Sequence, residues 1–281
     1  MRLDSLDKLR ARIKQIEGRT NSFRETMEAP LKGENSYQKE AGSYPAWSFG
    51  AQDVDEFFPH GLSPHALHEV TPAHYRDSWA ALSFALALLS RRAHLDPRPL
   101  LWCSSSLKLS EFGRLYGHGL RRFNINPARF IIIETKNDTE AAFILEEALK
   151  STRLCAVLGL TEALPLTPAR RLSLMAAKGR TPALLVTKPG DAGIKTAATR
   201  WQIAAPSADQ QLDANFPFPQ LAWQVALIRN RQGPADKKWY LEFPSYDLPF
   251  NNHAKKAFRF AHPSPFRNRK SKPLEAKTRA A

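Results

Sequence analysis

Apolar and polar positions divide the chain into regimes. Leu3, Leu6, Leu9, Ile13 and Ile16 recur at three- and four-residue steps between charged positions, which predicts an amphipathic helix over residues 1–17. A helix this short is marginal alone, so its narrow seam needs a partner. The seam packs on its own domain, or Leu6, Leu9, Ile13 and Ile16 join another copy by self-association. Residues 18–44 are polar, rich in Gly, Ser and Glu, and hold no period, so they read as a linker.

From residue 45 short apolar runs alternate with helical patterns. Strands are expected at 66–70, 99–103, 129–134, 154–158 and 182–187, with helices at 77–92, 107–116, 139–150 and 168–178. Repeated strand-helix-strand units predict an α/β fold with a mostly parallel sheet covered by helices on both faces. After residue 195 the rhythm breaks: 195–205, 221–230 and 238–243 follow one another without helices, which predicts antiparallel strands added at one edge. The folded domain is thus expected over 45–250 and a basic flexible tail over 251–281.

Composition sharpens this division. The formal net charge is +14, and from Ala254 onward nine basic residues stand against the single acid Glu275, so +8 lies in the tail. That arm, with Lys255, Lys256, Arg259, Arg267, Arg269 and Lys270 interleaved with Phe258, Phe260 and Phe266, is either a solubilising segment or a contact for nucleic acid or a protein partner. Cys103 and Cys155 sit in apolar runs and are expected as reduced core thiols. There is no run long and apolar enough for a membrane span, and the amino terminus lacks a signal peptide's apolar centre, so a cytoplasmic protein is expected.

In an α/β domain of this order a ligand is expected where the first strand meets its helix. A phosphate loop there needs glycines that turn backbone amides toward the phosphates, then Lys and Ser or Thr. Residues 71–79 hold no glycine, and Asp77, Ser78 and Trp79 stand where Gly-Lys-Thr would open the helix. Asp77 is expected as a helix N-cap, with a charge that opposes a triphosphate. Arg76 is read either as a phosphate contact or as a solvated loop residue. The strand expected at 154–158 carries no acid to hold magnesium, the first being Glu162. The reading is a non-enzyme with a degenerate phosphate loop, no cofactor and no metal. His60, His65, His68 and His74 fit no usual zinc spacing, and Ser104, Ser105 and Ser106 lack a nucleophile elbow.

The segment from Asp53 to Leu89 resembles the entry to the RecA core, with Gly61, Leu62, Glu69 and the helix after Asp77 in register. Further segments, among them PLLWC, EFGRLYGHGL, NPARFIII, LTPARRLSLMA, ATRWQI and VALIRNRQGPADKKWYLEF, are similar to the ImuA family over roughly residues 46–245. The resemblance implies a RecA-like core in a DNA-damage accessory protein of SOS-induced translesion synthesis and mutagenesis. It implies an ImuB-like Y-family partner and, through it, an error-prone DnaE-type polymerase; RecA is a further expected partner, and the basic residues add single-stranded DNA. RecA relatives commonly join subunits through an amino-terminal element, which makes a homo-oligomer the counterpart of the seam. Two alternatives stand beside it: an atypical DNA-dependent ATPase, and a cell-division inhibitor of the SulA type, which the 281-residue length and the basic tail argue against.

The stretch from Val225 to Phe243 resembles the last antiparallel hairpin of RecA-like cores. Arg229, Arg231, Lys237 and Lys238 around its turn are read as phosphate or partner contacts, or as a solvated tip. Thr199, Arg200 and Trp201 are expected to line the nucleotide-free cleft, or, for Trp201, to enter the core.

Overall fold

A computed structural model describes residues 47–162, 164–190, 193–206 and 221–243. The amino-terminal seam with Leu6, Leu9, Ile13 and Ile16, the linker, and the tail with Lys255, Lys256, Arg259, Arg267, Arg269 and Lys270 lie outside the described residues.

The chain enters through Trp47, which bridges Leu62 in antiparallel fashion, and a short helix α1, Gln52–Phe57. The order is then β1 (Leu67–Pro72), α2 (Ser78–Leu95), β2 (Leu100–Ser105), α3 (Ser106–Phe112), α4 (Gly117–Arg122) and β3 (Phe130–Thr135). It continues with α5 (Asp138–Lys150), β4 (Ala156–Leu160), α6 (Leu166–Gly179), β5 (Ala183–Val186), β6 (Thr199–Ala204), β7 (Leu221–Asn230) and β8 (Lys237–Phe243). The strands form one 8-stranded sheet in the order β3-β2-β4-β5-β1-β6-β7-β8.

β7 and β8 are antiparallel additions at one edge, as the loss of helical rhythm predicts. β6 corrects that expectation, because it runs parallel to β1, with His68 opposite Thr199 and Pro72 opposite Ile203. The segment 187–198 between β5 and β6 is long enough for a crossover without a helix. Glu69 and Leu67 of β1 anchor it by accepting the Ile194 amide at 2.8 Å and the Ala198 amide at 2.7 Å.

Alternation along the strands sorts the core into two layers. On one face Trp102, Leu158, Val186 and Trp201 pack with Leu82, Phe84 and Leu88 of α2. On the other, Leu101, Cys103, Val157 and Leu185 pack with Ile144, Leu145 and Leu149 of α5 and Leu172 of α6. Trp201 is core: its ring centroid lies 5.2 Å from Phe49, 5.6 Å from Phe58 and 6.1 Å from Phe84 and Trp239. Cys103 and Cys155 are free and buried, and burial pushes both thiols up to about 12.

The amino edge of the sheet is held by arginines. Arg92 of α2 is fully buried, with Nε donating to Cys155 O at 3.4 Å and Nη2 placed 3.2 Å from Asp96. Arg129 donates to Ala93 O and Arg98 O, both at 2.7 Å, and to Asp96 O. The Arg129 guanidinium satisfies carbonyls at the carboxyl end of α2, where the helix dipole is negative, and Arg92 ties that end to the start of β4.

Candidate functional site

After β2 the chain moves outward to β3, and after β4 it moves inward to β5, so the carboxyl ends of β2 and β4 diverge at a topological switch point. At this level the apolar core gives way to hydroxyls. Thr135, Ser105, Thr161, Thr187 and Thr71 form a buried row across five adjacent strands, continuing the registers Ser105 to Thr135, Leu160 to Val186 and Val70 to Val186. Thr187 donates to Glu69 Oε1 at 3.0 Å and Thr71 donates to Lys188 O at 2.9 Å.

The crevice above this row is closed by the chain's own charges. Lys108 of α3, only 4% exposed, places Nζ 2.7 Å from Glu162 Oε1 and 2.8 Å from Glu111 Oε2. Burial works against its charge, and the hydrogen bonds it donates to Glu111 and Glu162 outweigh burial and raise the lysine above its ordinary value. Glu162, the first acid after β4, is thereby engaged, and its amide donates to Asp138 Oδ2 at 2.8 Å.

At the end of β1, Asp77 takes the expected N-cap position of α2. Asp77 makes no side-chain cap bond to α2. Its buried carboxylate instead accepts the amide of His74 at 3.1 Å and that of Ala205 at 3.1 Å, clamping the turn to the end of β6. The reason lies in the 3-10 turn Tyr75–Asp77, which points the carboxylate back toward the sheet. Arg76 is exposed, and Trp79, in the first turn of α2, meets Phe112 edge to face with centroids 4.9 Å apart.

Arg200 lies on the inner side of this region. It is half-buried, its Nε lies 3.5 Å from Glu69 Oε2, and it donates to Gly190 O. Thr199 is not open to the cleft. It sits at the amino end of β6, where Trp201 Nε1 donates to its hydroxyl at 2.8 Å and the hydroxyl faces His68 Nδ1 at 2.8 Å. His68 Nε2 donates to Ser63 O at 2.8 Å, so Nδ1 accepts from Thr199 in the neutral ring. Burial pushes His68 down to about 4.

The hairpin cations gather elsewhere. Asn230, at the end of β7, pairs with Thr199, so the β7–β8 turn projects from the amino edge of the parallel strands, opposite the crevice. Arg229 is half-buried opposite Arg200 beside a bulge. Arg231 is exposed and donates to Thr196 O at 3.4 Å. Lys237 and Lys238 are exposed on β8. Arg229, Arg231, Lys237 and Lys238 thus form one group, and Arg200 belongs in part to another.

The Lys108 triad and the Trp79–Phe112 pair are features of the candidate site that sequence reasoning missed. The spacing of Lys108 and Glu111 is a readable i,i+3 pair, whereas nothing local signals Glu162. Ser104 and Ser105 end β2, beyond the 99–103 expected for that strand, and their hydroxyls bond no group among the described residues. Among the described residues no group of three or more His, Cys, Asp or Glu can hold a metal ion, and no helix is long and apolar enough to cross a membrane.

No family model matches the chain. The RadB recombinase structure superposes with a TM-score of 0.50 at 14% identity, covering 70% of this chain and 96% of that one, and the shared architecture is a RecA-like α/β fold. ImuA proteins from two strains of Caulobacter vibrioides, NA1000 / CB15N and ATCC 19089 / CIP 103742 / CB 15, are each 31% identical over 203 residues, which is 67% of this chain and 80% of theirs. With that identity over four-fifths of its relatives' length, the chain belongs to the ImuA family.

Proposed function

We propose that this chain is a non-catalytic accessory protein of SOS-induced translesion DNA synthesis and mutagenesis, working by docking and without a chemical step. Its partner is an ImuB-like Y-family protein and, through it, an error-prone DnaE-type polymerase, with RecA and single-stranded DNA as further contacts. Family membership supports the pathway. The observation that carries the non-catalytic reading is the crevice itself. A nucleotide's phosphates need amides and a free cation, but here Asp77 takes the neighbouring amides and Lys108 is engaged by Glu111 and Glu162.

The exposed cations of the hairpin, Arg231, Lys237 and Lys238 with Arg229 behind them, support a contact to phosphates or to an acidic partner surface. The test uses the purified full chain. ATP turnover is measured with magnesium, with and without single-stranded DNA, and co-purification is measured with the Y-family partner. No turnover together with a stable complex is expected. Saturable, DNA-stimulated turnover overturns the reading in favour of an ATPase, and failure to associate removes the docking role.

A further inference from the structure

Trp79 departs from every other tryptophan in the chain. The protein has six tryptophans. Trp47, Trp102, Trp201, Trp223 and Trp239 are buried, none more than 8% exposed, while Trp79 is 59% exposed. It stands on the first turn of α2, beside the closed crevice. Phe112 supports its ring on one side at an interplanar angle of 86°, and Lys108 Nζ lies 5.4 Å from the centroid of the Phe112 ring. The indole is therefore held in place while much of its surface meets water.

Exposed aromatic and cationic residues lie on the turn before it and on the segment that follows its partner Phe112. Tyr75, in the preceding turn, and Tyr116, which caps α4, are both exposed. Arg76, Arg114, Arg121 and Arg122 are exposed on the same turn and on the α3–α4 segment. Of the nearby acids, Asp77 is buried and accepts the His74 and Ala205 amides, Glu111 is taken by Lys108, and Glu134 lies 3.0 Å from Arg114. A supported, exposed indole with exposed arginines on the adjoining turn and segment has the chemistry that stacks bases while pairing with phosphates.

We propose that Trp79 is a stacking platform for an unpaired base of single-stranded nucleic acid, with Arg76 and the basic groups of the α3–α4 segment holding the flanking phosphates. This rests on the single-stranded DNA contact proposed above and gives it a site of its own, separate from the hairpin, which lies on the opposite edge of the sheet. The strand's charge matches the arginines, and a base offers its face only when it is unpaired.

The five buried tryptophans make the test direct, because acrylamide quenching of the native chain reports on Trp79. The full chain is titrated with a short oligothymidylate at low salt. Binding is expected to quench Trp79 and shield it from acrylamide. Trp79→Ala is expected to weaken binding roughly 5- to 100-fold, with Trp79→Phe in between. Because Trp79 is largely exposed, the variants are expected to keep the native thermal transition, which is checked alongside. Unchanged quencher access on binding, or an unchanged affinity for Trp79→Ala, overturns the proposal. Equal shielding by the matched duplex or by free thymidylate at the same nucleotide concentration also overturns it, in favour of a backbone contact or a small-molecule site. Shielding by the Y-family partner with no effect of oligonucleotide reassigns the ledge to protein docking and likewise overturns it. A hairpin variant, Arg229→Ala with Arg231→Ala, is expected to keep the shielding, so failure of the hairpin reading and failure of this one are distinguishable.

Discussion

Lys108 on α3 and Glu162 beyond β4 are joined by an ion pair of 2.7 Å across the carboxyl ends of β2 and β4. The pair bridges two diverging parts of the chain, and Glu111 completes it at 2.8 Å. Replacing Lys108 with Met leaves two carboxylates facing each other beside a buried row of hydroxyls. The expected loss is about 2–4 kcal/mol, lowered from the fully buried case because Glu162 is partly exposed. A denaturant series at neutral pH measures it, and the deficit is expected to shrink in acid as the carboxylates protonate. In the native chain the raised lysine value means that its contribution is complete below the unfolded value and is lost as pH rises through the folded one.

His68 sets an acid limit of the opposite sense. Its folded value is about 4 against 6.5 for a free imidazole. Stability is therefore full above the unfolded value and falls as pH drops toward the folded one, by up to about 3 kcal/mol. Unfolding midpoints between neutral pH and pH of about 4 are expected to show this slope, and His68→Gln is expected to flatten it. A His68→Gln variant with the same acid limb as the native chain would assign the slope to carboxylates instead.

Two neighbouring residues at the end of α6 are expected to respond with opposite signs. A Cβ on Gly179 collides with Leu149 O, so Gly179→Ala drives α6 from the end of α5 and costs about 1–3 kcal/mol. Arg180 closes the helix with φ 52°, a left-handed conformation that costs an L-residue, and Arg180→Gly is expected to gain about 1 kcal/mol. Thermal unfolding of the two single variants decides both.

For the hairpin, binding to single-stranded DNA across a salt series is expected to lose about 0.7 from the log-log slope for each phosphate contact removed among Arg229, Arg231, Lys237 and Lys238. Arg200→Ala is expected to act differently. It removes a partner of Glu69 and lowers stability, with little change in slope. An unchanged slope for the hairpin variants makes that tip a solvated turn.

Much of the sheet was legible because buried parallel strands are apolar runs punctuated by helices. Strand ends were less so. The strand expected at 154–158 runs instead over Ala156–Leu160, since RLCAVLGL offers no alternation to fix its limits. α3 stops at Phe112, short of the expected end, because Gly113 takes φ 68°, and the glycine-rich α4 reads locally as a turn. The direction of β6 depends on how a crossover without a helix returns, which no local pattern encodes. At the candidate site the missing glycines were plain in the sequence. The closure by Lys108 and Glu162 was not, because it is made by segments that meet only in the fold.

The arginine clamp at the amino edge has an evolutionary consequence. α2 is fastened at its far end, where Arg129 holds Ala93, Asp96 and Arg98 carbonyls and Arg92 reaches Cys155. At its near end Asp77 clamps the turn to β6, while Tyr75, Arg76 and Trp79 stand exposed and outside both fastenings, so these three can be exchanged by drift without releasing the helix from the sheet. A lineage can rewrite what this end recognises while inheriting the scaffold intact.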